Sequence, residues 1–476
     1  MTLLIIIFAC LFCLLCLKKL NWALFFMIAT LPSYLIRFKI GPIPSTLLEV
    51  MILICFAVWF FKDKPYKQWR NRNNDKQQKI NYPFRWEIIL ILIISFLALI
   101  PASFSSDALG ISKAYFLEAI LVFILIINVF KDERNYRSIF WALSLSAFSV
   151  SLWAIIQKIS GQFIANPFWA NPQNFRAVSF YGYPNAIGLY LGPVIIMLAA
   201  FLISLIKDVD FKKSKFPEIK IFFLGLTIIT SITSIILARS EGALAAVSIS
   251  TFVLFIIYGR RSRYLAISLA LISIILVSFL PNTKNYILEK ATLENLSGRI
   301  RQLQWQETYN MLNDGHFILG AGLNQYPIAI KPYHQEGLFF NRDHLDNFDQ
   351  RLRVSAELRN KYWQPVEIYQ YPHNIFLNFW SETGLLGAIL FSWFIIKFLI
   401  TSIIQAKKWG QASQKPEKLI ALGLFGAMTV ITLHGLVDVP YFKNDLAVLF
   451  WLLPALLGIL IIKNNENNLA KTNRPN

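Results

Sequence analysis

The stretch Asn185-AIGLYLGPVIIMLAAFLISL-Ile206 runs for 22 residues without one Asp, Glu, Lys or Arg. At about 1.5 Å per residue a helix of that length reaches roughly 33 Å, enough to cross a hydrocarbon core about 30 Å thick. A soluble surface helix would carry a polar face, and this stretch has none. It predicts a transmembrane helix. Working outward, similar apolar runs occupy 3–17, 20–36, 46–61, 87–104, 114–130, 138–159, 221–238, 243–258, 264–280, 374–398, 419–437 and 446–462. They predict an all-α polytopic membrane protein of about 12–14 transmembrane helices with one large, mainly helical extracytoplasmic loop.

Composition agrees. The 476 residues are 56% hydrophobic and 15% charged, against about a quarter charged in ordinary soluble proteins. A disordered chain, a disulfide scaffold and a soluble doubly wound domain are excluded. The four cysteines, Cys10, Cys13, Cys16 and Cys55, lie in apolar runs without neighbouring ligands and read as small hydrophobes. Met1 to Leu17 lacks a basic start and reads as a retained first span rather than a cleaved signal.

A formal charge of +19 would suggest nucleic acid in a soluble protein, but here its placement matters more. Lys18 and Lys19, the connections 62–85, 131–137, 207–220, 259–263 and 397–418, and the tail 463–476 alternate as one side of the membrane. Together they hold 29 basic and 9 acidic residues. Short loops rich in Lys and Arg stay cytoplasmic, so the other connections face outward and no nucleic-acid partner is expected. One outward connection, 281–372, carries ten basic and ten acidic residues. Its helical pattern (Ile300, Leu303, Trp305, Tyr309, Leu312) predicts an ordered cap with an apolar underside, and loops of that length are usually functional. A second outward segment, Gly161 to Pro184, is rich in aromatics, Asn and Pro.

The candidate chemistry gathers on this outward side. Tyr371-Pro-His373-Asn374 precedes a span that contains Gly384 and Gly387. An imidazole here can act as an acid or base, while the plainer reading is an interfacial histidine; the two glycines would admit a closely packed helix. Arg239 stands between two spans and Arg299 opens the first cap helix, with Arg301 two residues on. Arg239 could simply snorkel to lipid phosphates and Arg299 be a solvated helix charge, yet guanidinium groups hold phosphate oxygens in a bidentate fork, and two could grip a pyrophosphate without a metal. His434 and Asp438 lie four apart and could orient each other. Gly320-Ala-Gly322 reads as a turn, and Asp343, Asp346 and Asp349 as a solvated acidic face. Arg37 to Ser45 holds no carboxylate. The spans themselves read as nearly free of buried charge, which argues against a flippase or secondary transporter.

Together these motifs resemble the O-antigen ligase and polymerase superfamily of bacterial membrane glycosyltransferases. His373-Asn374, nine residues and then Gly384-x-x-Gly387 are similar to that family's His-[Asn/Ser/Gln]-x9-Gly-x-x-Gly signature. Ala238-Arg239-Ser240, Ser297-Gly298-Arg299 with Trp305 and Gly320-Ala-Gly322, the helix start at Asn185, and the His434/Asp438 pair are similar to further family features. Glu241 departs from the pattern, which more often has Gly there.

The resemblance covers about residues 160–445 and divides the chain into N-terminal helices (1–160), a ligase-like core (161–445) and a last helix with tail (446–476). It implies a multi-pass protein of the bacterial cytoplasmic (inner) membrane with its active site outside. The implied donor is an undecaprenyl-pyrophosphate-linked glycan and the acceptor a hydroxyl of a glycolipid or glycan, joined with inversion and without metal or cofactor. The implied roles are base for His373 and pyrophosphate binding for Arg239 and Arg299, with Asn374, Asn185, His434, Asp438 and Arg301 in support. Ligase, repeat-unit polymerase and protein O-oligosaccharyltransferase all remain open, as does a structural protein whose cap binds polysaccharide.

Overall fold

The computed structural model describes residues 2–41, 43–63, 82–130, 136–208, 213, 215–411 and 415–472. The segments 64–81, 131–135, 209–212 and 473–476, which hold ten of the 29 basic residues and four of the nine acidic ones, lie outside the described residues. The main helices are α1 (Thr2–Lys18), α2 (Leu20–Ala29), α3 (Leu47–Asp63), α4 (Arg85–Leu97), α5 (Ser106–Val129), α6 (Arg137–Ser160), α7 (Asn185–Lys207), α8 (Pro217–Leu237), α9 (Glu241–Tyr258), α10 (Arg260–Ser278), α11 (Pro281–Ala291), α12 (Leu296–Met311), α13 (Ile375–Gln411), α14 (Lys415–His434) and α15 (Asn444–Thr472). Among the described residues, α5 to α10 and α13 to α15 are nine helices long and apolar enough to cross a membrane. The protein is an all-α, multi-pass membrane protein.

The four N-terminal candidate spans are helical too, but of 17, 10, 17 and 13 residues. The run 20–36 stops at Ala29 and turns through a 3-10 segment at Leu31–Leu35, because Pro32 has no N–H with which to continue the ladder. The segment after it forms an antiparallel hairpin, Arg37–Ile40 with Ile43–Thr46.

α7, α14 and α15 lie at the centre, and their largely apolar surfaces are buried against neighbouring helices. α7 packs on α14, α8, α9 and α6; α15 packs on α5; α13 packs on α14 and α4. α10 touches little except α9 and the cap helix α11, and it exposes apolar side chains along its length, as a helix bathed in lipid should. Cys16 and Cys55 are buried side by side with sulfurs 3.6 Å apart.

The segment 281–372 is an ordered cap. It holds α11, α12, short helices at Phe348–Val354 and Ala356–Tyr362, and a two-stranded pairing of Gly337–Phe339 with Trp363–Pro365. Met311, Leu312, Tyr326 and Ile330 form its small core.

Two expectations need correction. The helices do bury charge: Glu49, Glu87, Glu118, Glu382, Glu417 and Asp445 are all buried. Three of the six are offset by cations remote in sequence, with Lys397 2.6 Å from Glu87 and 310 positions away, Lys113 2.7 Å from Glu49, and Lys463 3.1 Å from Glu417. Gly384 also does more than admit a neighbour. It breaks α13, with φ +77° and ψ 176°, a conformation open essentially to glycine alone. The break releases backbone groups that the cap takes up: Ala321 N donates to Ser381 O (2.7 Å) and Leu385 N to Ile318 O (3.0 Å). The buried Glu382 accepts from Asn324 N at 2.6 Å.

Candidate active site

The site assembles around the turn that follows α14. A helix end leaves carbonyls without intrahelical partners, and here other elements supply the donors. Ile375 N donates to Gly435 O at 2.7 Å, Asn374 Nδ2 to Leu436 O at 3.1 Å and Arg301 Nε to Val437 O at 2.8 Å. Asn185 Nδ2 donates to Asp438 Oδ2 at 3.1 Å. Gly435 permits the close approach, since a Cβ there would stand 2.6 Å from Ile375 Cγ2. One turn thereby fixes the starts of α7 and α13 and one face of α12.

His373 stands just before α13, partly buried, with φ +46°. Asn374 caps the helix, its Oδ1 accepting from Phe376 N (3.0 Å) and Leu377 N (3.1 Å), so its place is that of an N-cap. The His373 ring lies edge-on to Tyr369 at 4.9 Å, and its Nδ1 is 2.9 Å from Gln304 Oε1. An amide oxygen only accepts, so Nδ1 carries the proton and Nε2 keeps its lone pair. Burial lowers the His373 pKa below the usual histidine value; nearby Asp438 works against that shift and Arg301 adds to it. Burial and the Nδ1 contact with Gln304 both favour the neutral form of the ring.

Three arginines face the same region. Arg176 comes from the outward segment before α7. Its Nε donates to Ala238 O (2.8 Å), and its Nη2 to Asn185 Oδ1 (2.8 Å) and Arg239 O (3.4 Å). Burial first, and then the charge of Arg239, lower its pKa from the ordinary arginine value; Arg301 acts in the same direction. Arg301 is tied to Val437 O and to Ser297. Arg239, in the left-handed region at φ +50°, is exposed, and among the described residues its side chain makes no hydrogen bond or ion pair. Glu241 beside it is drawn to α11, accepting from Tyr286 OH (2.6 Å) and pairing with Lys290 (2.7 Å). The carboxylate that departs from the family pattern is thus occupied by the cap.

Of the residues expected from sequence, the fold brings together His373, Asn374, Arg239, Asn185, Asp438, His434 and Arg301. It does not bring Arg299. At 100° per residue Arg299 and Arg301 project from α12 about 200° apart, and Arg299 lines a different cavity of about 550 Å³ within the cap. His434 and Asp438 do not orient each other by a hydrogen bond: Asp438 pairs with Asn185, while His434 is buried with its ring against Gly242, and its Nδ1 has no partner among the described residues. No group of three His, Cys, Asp or Glu side chains among the described residues could hold a metal ion.

Two residues escaped the sequence reading. Arg176 is the one charged residue between 161 and 184, and that isolation was a usable signal. Gln304 had none, because only the phase of α12 turns it to His373.

No curated protein matches the chain. Residues 226–392 match the family model described as O-antigen ligase, a segment that runs from within α8 through the cap into α13 and contains Arg239, Arg301, Gln304, His373 and Gly384. Over that segment, about a third of the chain, the protein is similar to the O-antigen ligase family.

Proposed function

We propose that the protein is an extracytoplasmic glycosyltransferase that moves a glycan from undecaprenyl pyrophosphate to an acceptor hydroxyl, as an O-antigen ligase does. The observation that supports this reading is a chain of neighbours: Arg301 acts on both His373 and Arg176, and Arg239 acts on Arg176, at one end of the bundle. Arg176 and Arg301 are fixed by backbone carbonyls and crowd one another electrostatically, and a bound diphosphate would relieve that repulsion. Arg239, unengaged, closes on the same phosphates. Arg301 takes the part expected of Arg299.

In this reading the acceptor oxygen attacks the anomeric carbon from the face opposite the diphosphate, and the configuration inverts. His373 Nε2 takes the acceptor's proton as the carbon–oxygen bond to phosphate breaks. The lipid diphosphate leaves with its charge matched by the arginines. Asn185 and Asp438 hold Arg176 and the turn in place.

The test is transfer from a defined polyprenyl-pyrophosphate glycan by the purified protein in nanodiscs. His373→Ala should lower the rate by about 10² to 10⁴ with unchanged thermal unfolding, and EDTA should leave the parental rate intact. Parental transfer by His373→Ala would refute the assignment. Offering a lipid A-type glycolipid, a repeat-unit glycan and a hydroxyl-bearing peptide as acceptors separates ligase from polymerase and from protein glycosyltransferase.

A further inference from the structure

α12 is a wall with two working faces. Arg301, Gln304 and Thr308 point toward the turn, His373 and the cap core, whereas Arg299, Gln302 and Gln306, at i, i+3 and i+7, line the cavity on the other side. That cavity lies wholly in the cap, and its volume is within the range of small-molecule sites.

We infer that this cavity is a saccharide subsite, selective for neutral or amino-bearing sugars over acidic ones, which holds part of the glycan remote from the reacting carbon. The idea that the sugar is donor or acceptor glycan rests on the proposed function; the chemistry of the cavity does not. Phe339 and Phe348 contribute aromatic rings, Phe339 being 41% exposed even though it packs edge-on against Trp363 at 5.0 Å. An aromatic face is electronegative and attracts the polarised C–H groups on one side of a pyranose. Beside the rings stand the amides of Gln306, which makes no hydrogen bond among the described residues, and of Gln302, held only by two 3.4 Å contacts with Thr292 O and Arg299, so both can donate to and accept from hydroxyls; Asn341 is held by the Leu345 backbone.

The charge balance sets the selectivity. Glu289, Glu294 and Asp349 face the cavity, and among the described residues none is in an ion pair; Arg299 is the one guanidinium opposing them, its Nη1 3.4 Å from Gln302 Oε1. An anionic sugar would meet net repulsion. A lipid tail would leave these polar groups without partners.

The fold holds the aromatic side in place. Trp363 covers Gly337, where a Cβ would come within 2.5 Å of its ring, and Phe340 N donates to Tyr362 O at 3.0 Å.

The experiment uses the full-length protein in nanodiscs carrying His373→Ala, so that binding is read without turnover, with calorimetric titration of three probes: a neutral hexose hexasaccharide, a hexauronate and an oligolysine of similar length. The neutral saccharide should bind at least about tenfold more tightly than the uronate. Phe339→Ala with Phe348→Ala should weaken it by about tenfold or more. Glu289→Gln with Glu294→Gln and Asp349→Asn should bring the uronate close to the neutral probe. Equal affinity for both saccharides, indifference to the phenylalanine substitutions, or tighter binding of oligolysine than of saccharide would each overturn the inference. Saccharide binding without lipid-linked transfer by the parental protein would refute the proposed function alone; transfer without saccharide binding would refute the subsite alone.

Discussion

In the proposed reaction His373 serves as the base: Gln304 takes the proton-bearing side of its ring and burial disfavours the charged form. The sign of the pH dependence follows. The neutral imidazole dominates above its lowered pKa, so transfer should be constant at neutral pH and fall as acidification protonates Nε2, with an apparent pKa below 6.5. Gln304→Leu frees the ring and should lower kcat by up to about 10²-fold with little change in donor KM, measured alongside the parental pH profile; an unaltered kcat would show that the contact does not position the base. That His373, Asn374, Asn185 and Arg239 would gather at one end of the bundle was legible from residue type and spacing. That Arg301 rather than Arg299 meets the turn was not, since spacing states that two arginines lie on opposite faces but not which face meets the turn. Nor does the sequence announce the left-handed backbone at both Arg239 and His373, a conformation that costs energy and clusters at functional sites.

At the scale of elements, the two glycines of α13 separate cleanly. A Cβ on Gly384 would stand 2.3 Å from Ile318 O and force φ +77°, so Gly384→Ala should cost about 1–3 kcal/mol from backbone strain alone and loosen the cap from the helix. At Gly387 a Cβ would also crowd Thr383, one turn earlier, coming 2.6 Å from its Cβ, but the backbone there has ordinary helical φ, so only Gly384 adds conformational strain to the clash. Gly387→Ala should therefore be the milder change, and thermal unfolding of the two variants in one lipid checks the order. The helices themselves were legible from apolar runs. The break was not, because Gly-x-x-Gly in an apolar run also suits an unbroken helix packed against a neighbour. What decides is a cap segment about sixty residues earlier, Ile318 to Asn324, supplying the hydrogen bonds that a broken helix lacks.

For the whole molecule, the 29-to-9 excess of basic residues on one set of connections supports the proposal that the cap lies outside. A membrane-impermeant maleimide should label Gln350→Cys in intact spheroplasts and Lys407→Cys only after permeabilisation; the reverse pattern would invert the topology. The buried acid–base pairs lay beyond sequence reading, because Glu87 and Lys397 meet only once α4 and α13 pack together. The joint at Gly384 carries one more consequence. The cap is continuous with α10 at one end and α13 at the other, and it is stitched into the middle of α13 through Ala321 and Leu385. A roof fastened at three points does not swing open, so lipid-borne sugars should arrive sideways, gliding within the outer leaflet toward His373, and spent carriers should drift away by the same lateral doorway.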